Sequence, residues 1–361
     1  MKRWPLLVLL AALFLMPRFG WAQAKVGTAG VQFLKISPSC RAVGMAEAYV
    51  AVANDASAIY HNPGALARLP LPEATLSYID YAAGLQYGFL GAAHPMTKWN
   101  GAWAVSVIYL TTDEMEETTP EKPNGTGRTF SAGDVAGGLS YSQKLTDKFS
   151  VGGTIKFINE TLADKSANGW AADVGTYYNT GWRSLRIAML VSNFGPDMNF
   201  VDGPFPMPMN FTFGMSAYLL NTREARSWNG SDSVGAHTLL GALAWSHPND
   251  NLETYNFGLE YGYHDWAFIR FGKKINGIHR WNWEDYQAKI AAGEDAKNRD
   301  PFFEYPLFSE TGKFFQNGAT VGAGVKLPSV GLSIDYAFTG ISYLDNIHRF
   351  SLGYRFPRML F

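Results

Sequence analysis

Cysteine is almost missing from this chain: Cys40 is the only one in 361 residues. A lone cysteine excludes any intramolecular disulfide. Cys40 follows Ser-Pro-Ser and not the small apolar run that precedes a lipidated cysteine, so anchoring by lipid is not expected. Net charge is also close to nothing, −1 at pH 7 with a pI near 6.7, which gives no ground for binding nucleic acid or another polyanion. Long apolar runs are lacking after residue 24. The longest uncharged window, 203–222, opens with Pro204, Pro206 and Pro208, which the interior of a helix would not tolerate. A mean hydropathy of −0.10 excludes a polytopic helical membrane protein.

Enzyme signatures are lacking as well. There is no His-Glu-x-x-His, no Gly-x-Ser-x-Gly and no Walker-type loop. The seven histidines are scattered over different connections and strands, and no metal, cofactor or catalytic residue is expected from them. His264 beside Asp265 reads either as half of a surface hydrolase dyad or as two turn residues at a strand end. His61 reads as a hydrogen-bonded packing residue.

What the chain does have is aromatics and glycine, 24 Phe, 18 Tyr, 11 Trp and 37 Gly. That mixture suits a wall whose outer face meets lipid and whose inner face must leave room. Residues 1–24 read as a targeting segment. Lys2 and Arg3 form its charged start, 5–16 its apolar core and Ala22-Gln23-Ala24 its cleavage site, so the mature chain is expected to begin near Lys25, outside the cytoplasm.

From Ala74 onward the pattern repeats every second residue. Tyr255, Phe257, Leu259, Tyr261 and Tyr263 fall on one side, with Asn256, Gly258, Glu260 and Gly262 on the other. Trp103, Val105, Val107 and Tyr109 alternate with Ala102, Ala104 and Ser106; Phe350, Leu352, Tyr354 and Phe356 alternate with Ser351, Gly353 and Arg355. Such segments run about ten residues, the length a tilted strand needs to cross a bilayer. Lys156, Arg186 and Glu260 lie on the small-residue side, which is therefore expected to face a lumen. Between Ala74 and Phe356 the count is roughly 14, an even number as in bacterial outer-membrane barrels. The connections 145–148, 179–183, 264–265 and 328–329 read as tight periplasmic turns, and 112–131, 160–168, 194–207 and 274–316 as long outer loops. Two connections break this alternation: 221–234 is long for a periplasmic turn and 247–251 short for an outer loop.

Ahead of the strands, Arg41 to Leu69 reads RAVGMAEAYVAVANDASAIYHNPGALARL. Arg41, Glu47, Asp55 and Arg68 interrupt it too often for a membrane-spanning helix. Asn54 or Asp55 is placed to cap a brief helix through Tyr60, and Asn62 suits a second cap with Pro63 at the first helical position. So compact a run of small residues packs inside something larger, where its four charges are expected to meet charges on the strands.

GTAGVQFLKISPSCRAVGM followed by AYVAVANDASAIYHNPGALA resembles the amino-terminal signature of the PorV/PorQ family of bacterial outer-membrane barrels, distant relatives of the FadL fatty-acid transporters. The likeness is dense over 27–67 and lies in pattern more than in residues beyond. Cys40 departs from it, standing where relatives carry a small residue such as alanine, as do Gly64 and Ala65, where many relatives have Ala-Gly. The resemblance implies an all-β fold: an up-and-down antiparallel barrel of about 14 strands, its lumen holding a short helical plug. The expected layout is a signal peptide over 1–24, a plug over 25–73 carrying the motif Arg41, Gly44, Met45, Asp55, Asn62 and Pro63, and a barrel over 74–361.

The resemblance further implies residence among outer-membrane lipids and an accessory part in type IX protein secretion, engaging a translocon or a cargo's carboxy-terminal domain. A binding surface for such partners is the aromatic outer loop 274–316, with Trp281, Trp283, Tyr286, Phe302, Phe303 and Tyr305 and a short helix over 283–296; alternatively that loop only caps the barrel mouth. The competing function is FadL-like transport of long-chain fatty acids or other hydrophobic solutes, which requires an apolar pocket continuous with a gap in the wall. The terminal Phe361 resembles a barrel assembly signal, although Pro357 puts it out of phase with the last strand.

Overall fold

The computed structural model describes residues 27–81, 84–200, 203–221, 236–276, 318–340 and 347–356. The expected signal peptide, the six aromatic residues of the 274–316 loop, its short helix and Phe361 lie outside them. Among the described residues, fourteen strands form one closed antiparallel barrel. They are β1 Glu73–Tyr81, β2 Leu85–Met96, β3 Gly101–Thr112, β4 Ala132–Lys144, β5 Phe149–Leu162, β6 Lys165–Asn179 and β7 Arg186–Phe194. The second half comprises β8 Asn210–Asn221, β9 His237–Pro248, β10 Thr254–Tyr263, β11 Ala267–Asn276, β12 Ala319–Leu327, β13 Leu332–Thr339 and β14 Ile347–Arg355. Each strand pairs with its neighbour in sequence. β1 closes the ring on β14, with Glu73 opposite Arg355 and Asp80 opposite His348.

The period-two pattern becomes the two faces of the wall. Phe157, Leu259, Ile269 and Phe350 are 68%, 42%, 64% and 56% exposed, while Lys156, Gly258, Glu260 and Arg270 on the alternate face are buried. In water so continuous an apolar outer surface would aggregate; in a bilayer it is the solvated side. No helix among the described residues is long and apolar enough to cross a membrane, so the strands do the crossing. Trp99, Trp182 and Trp266, all exposed, sit in the β2–β3, β6–β7 and β10–β11 turns. These turns share one rim, the one where the barrel begins and ends, and indoles there suit a membrane–water interface.

Two readings of the connections are corrected. Residues 160–168 are not an outer loop: β5 and β6 pair without interruption out to Leu162 and Lys165. Polar strand ends that project past the bilayer lose the apolar alternation and so look like loop. The irregular connections around 221–251 do not change the strand count, because β8 pairs directly with β9, and β9 with β10. Two long outer connections carry small hairpins of their own, Met115–Glu116 with Thr129–Phe130 and Met198–Phe200 with Gly203–Phe205.

The core of the molecule is its lumen. Before β1 come a 3-10 helix at Gln32–Lys35, α1 at Cys40–Gly44, α2 at Ala58–His61 and a 3-10 helix at Pro63–Arg68. Asn62 caps the last of these by accepting from Gly64 N at 3.0 Å, with Pro63 at its first position. α2 starts later than the sequence suggests, after Ser57. Asp55 is drawn elsewhere, since Arg41 and Tyr49 hold one of its oxygens and Ser57 the other.

Candidate functional site in the barrel lumen

The amino-terminal segment touches the wall all the way round. α1 packs on β11 to β14, and Pro63–Arg68 on β2 to β6. Between them Ser216 on β8 donates to Ala51 O at 2.8 Å. Wall glycines make the fit possible. A Cβ at Gly152 or Gly175 would run into Pro63 and Gly64, one at Gly214 into Val50, one at Gly258 into Met45 and one at Gly272 into the Met45–Ala46 peptide. A Cβ at Gly44 would come within 3.1 Å of the Gly322 Cα, and one at Gly322 equally close to the Gly44 Cα. The abundance of glycine is thus spent where plug backbone lies against strand backbone, a specific use of the room that composition only suggested.

Charge fixes the segment further. Arg41 lies against Glu260 on β10 as a two-pronged pair, Nε to Oε2 and Nη2 to Oε1, both 2.7 Å. Arg270, opposite Glu260 on β11, shares Oε2 at 2.7 Å and reaches Asp335 on β13 at 2.5 Å. Arg41 also donates to Asn54 and stacks over the Tyr49 ring, while the Tyr49 hydroxyl donates to Asp55 at 2.6 Å. Burial raises the Asp55 carboxyl, but the Arg41 guanidinium together with the hydrogen bonds from Ser57 and Tyr49 outweighs it, and the net direction is down. Glu47 accepts from Lys274 at 2.9 Å, and Arg68 donates to Ser150 and to Asp147 O. Of the four plug charges, Arg41 and Glu47 meet charges on the strands, Asp55 meets Arg41 within the plug, and Arg68 meets a hydroxyl and a carbonyl of the wall.

Asn62 is fully buried and bridges both layers, donating to Val50 O and to Thr176 O on β6. Cys40 is buried between Val43 and Ala337, and burial pushes its thiol up to about 11. His61, set edge-on between the Tyr49 and Tyr60 rings, is pushed down to about 4 by burial and stays neutral in the physiological range. His264 and Asp265 both have positive φ, the mark of a tight hairpin turn. Asp265 faces Lys326 at 3.2 Å, so the pair is a turn with an ion bridge. Among the described residues no group of three His, Cys, Asp or Glu side chains is placed to hold a metal ion.

A cavity of about 280 Å³ remains between the segment and the outer halves of β7 to β11. Lys35, Glu47, Tyr60 and His61 form its inner side, and Lys156, Ser192, Thr212, Ser246, Thr254 and Lys274 its wall. Next to it Val31, Phe33 and Leu34 pack with Ile79, Phe89, Ile108 and Ile158, filling that part of the lumen with apolar side chains, and Leu34 also lines the cavity. Sequence reasoning marked Lys156 and Glu260 as lumenal, but missed Arg270, Asp335 and the Lys156–Asp173 pair at 2.7 Å. The available signal was a charge among small residues on one strand face; which charges meet is set by the closed ring.

A closed barrel with a greasy exterior, a lumen filled by its own amino-terminal segment and interfacial tryptophans at one rim is the architecture of a bacterial outer-membrane barrel, and its fold is similar to that of the FadL-like barrels. Solved structures of that fold include the toluene transporter TodX of Pseudomonas putida, 11% identical over 88% of this chain and 97% of that one, with a TM-score of 0.51. The Ralstonia pickettii toluene transporter TbuX is 11% identical over 87% of this chain and 98% of that one, with a TM-score of 0.50. A Pseudomonas aeruginosa FadL homologue is 14% identical over 89% and 99%, at a TM-score of 0.48. The family model described as type IX secretion system protein PorV matches residues 20–222, and the chain belongs to that family. No curated protein matches it.

Proposed function

We infer that this protein is a non-catalytic accessory of type IX-like protein export, a membrane-embedded scaffold that binds the translocon or the carboxy-terminal domain of a cargo. The observation that carries this reading is the seated plug. A lumen occupied by a segment held through Arg41, Glu47 and Asn62, with wall glycines against its backbone, is built to stay shut and leaves the outer surface for work. Family membership supplies the setting. The 274–316 loop, with Trp281, Trp283, Tyr286, Phe302, Phe303 and Tyr305, is the surface we assign to the partner, since large aromatics bury much area with few lost rotamers.

Passage of hydrophobic solutes is the second reading, favoured by the shared fold with TodX and TbuX. Against it stands the cavity, whose lining sets three lysines and several hydroxyls among Leu34, Val50, Leu190 and Leu252, a mixed wall and not a continuous greasy channel. Affinity capture of the tagged full chain from detergent-solubilised outer membranes is expected to recover export machinery or cargo. Recovery of neither, from a barrel that remains folded, contradicts the export reading.

A further inference from the structure

The cavity between plug and wall has a chemical character that a merely incomplete seal would not need. Its lining carries three ammonium groups, Lys35, Lys156 and Lys274, against one carboxylate, Glu47. The other two counter-ions stand behind the surface. Asp250 holds Lys35 at 2.8 Å and Asp173 holds Lys156 at 2.7 Å, yet neither forms part of the wall. Each ammonium has three N–H donors, so one carboxylate leaves donors for something else. His61, neutral where it lies, adds no charge of its own.

Lys156 is 95% buried by its surroundings, at 5% exposure, and also donates to Asn193 Oδ1 at 2.8 Å. It is held in place by a β-bulge: Ala172 pairs with Phe194 and Val174 with Val191, so Asp173 alone faces Ser192 and Asn193. Asn193 takes φ 56° there, and its N–H donates to Asp173 at 2.8 Å. Bulges re-aim side chains, and this one sets Asp173 and Asn193 against the Lys156 ammonium, on a residue that lines the cavity. Hydroxyls of Ser192, Thr212, Ser246 and Thr254 continue the wall, which reaches the exposed Asn251 at the outer end.

We propose that this cavity is a binding site for a small hydroxylated carboxylate entering from the outer side: the carboxylate meets the three lysines and the hydroxyls are read by the β7–β10 wall. The volume suits a molecule the size of a sugar acid, whose carbon skeleton can lie against Leu34, Val50, Leu190 and Leu252 while its oxygens meet the lysines and hydroxyls set among them.

Calorimetric titration of the full barrel in detergent at fixed ionic strength, with sodium gluconate as probe, is the test. Saturable gluconate binding is expected, with glucose, inorganic phosphate and laurate at least tenfold weaker. Lys35→Gln, whose site on the plug is only partly buried, and Thr254→Val are each expected to weaken gluconate about tenfold, as loss of a hydrogen bond to a charged ligand does. Equal binding of phosphate, preference for laurate, no binding of gluconate, or gluconate affinity unchanged in both variants overturns the assignment.

Discussion

Glu260→Ala is expected to cost about 3–5 kcal/mol of stability, the cost of stripping the shared anion from a buried charge network. Arg41 and Arg270 both converge on Glu260, and both are buried. Without the carboxylate Arg41 keeps only a 3.4 Å approach to Asp55 and neutral acceptors, while Arg270 keeps Asp335. Two buried guanidinium groups then face each other without their shared anion. Thermal unfolding in detergent should show the loss, and Arg41→Met added to Glu260→Ala should recover part of it, because the cation left with the weaker partner is gone. If the double variant is no more stable than the single one, Arg41 is not seated through Glu260. The loss comes from stranding a buried cation and not from a large net gain in forming the pair, since desolvation offsets most of the attraction in a buried ion pair.

Gly272→Val should have an effect of the same order by a steric route. A Cβ there would overlap the Met45–Ala46 peptide, which unlike a side-chain tip has no other rotamer to take. Overpacking of that kind costs about 1–3 kcal/mol and sometimes more. Either the strand bends or the end of α1 lifts off the wall, and Cys40, four residues before Gly44, becomes reactive toward thiol reagents. Gly137→Val is the matched control, since a Cβ at Gly137 meets nothing within 4 Å. Equal stability and equal Cys40 reactivity in the two variants would mean that the plug does not rest on the wall at Gly272.

The wall was legible in the sequence because a membrane barrel has only one way to satisfy both solvents. Tyr255, Phe257 and Leu259 must face lipid, so Asn256, Gly258 and Glu260 must face inward, and one strand's alternation carries to the whole ring. The Asn62-Pro63 start was legible for a local reason, since both residues act on backbone groups beside them. Legibility failed where the signal is not local. Glu260 is 219 residues from Arg41, and nothing along the chain says that these two charges meet. It failed again at 160–168, where strands that leave the bilayer no longer need apolar side chains on one face. Glycine told of room but not of its occupant; only the closed ring brings Gly152 and Gly175 against Pro63 and Gly64.

The chain's one cysteine offers the most direct measurement of the seated plug. Cys40 is fully buried against Val43 and Ala337, and burial holds its thiol protonated, up to about 11. The thiolate is the reactive species, so both access and ionisation protect it. With outer-membrane vesicles carrying the folded protein, a maleimide reagent at neutral pH is predicted to leave Cys40 unmodified over hours and to modify it fully after denaturation. Labelling of the native barrel at the rate of an exposed thiol would contradict a plug locked into the lumen.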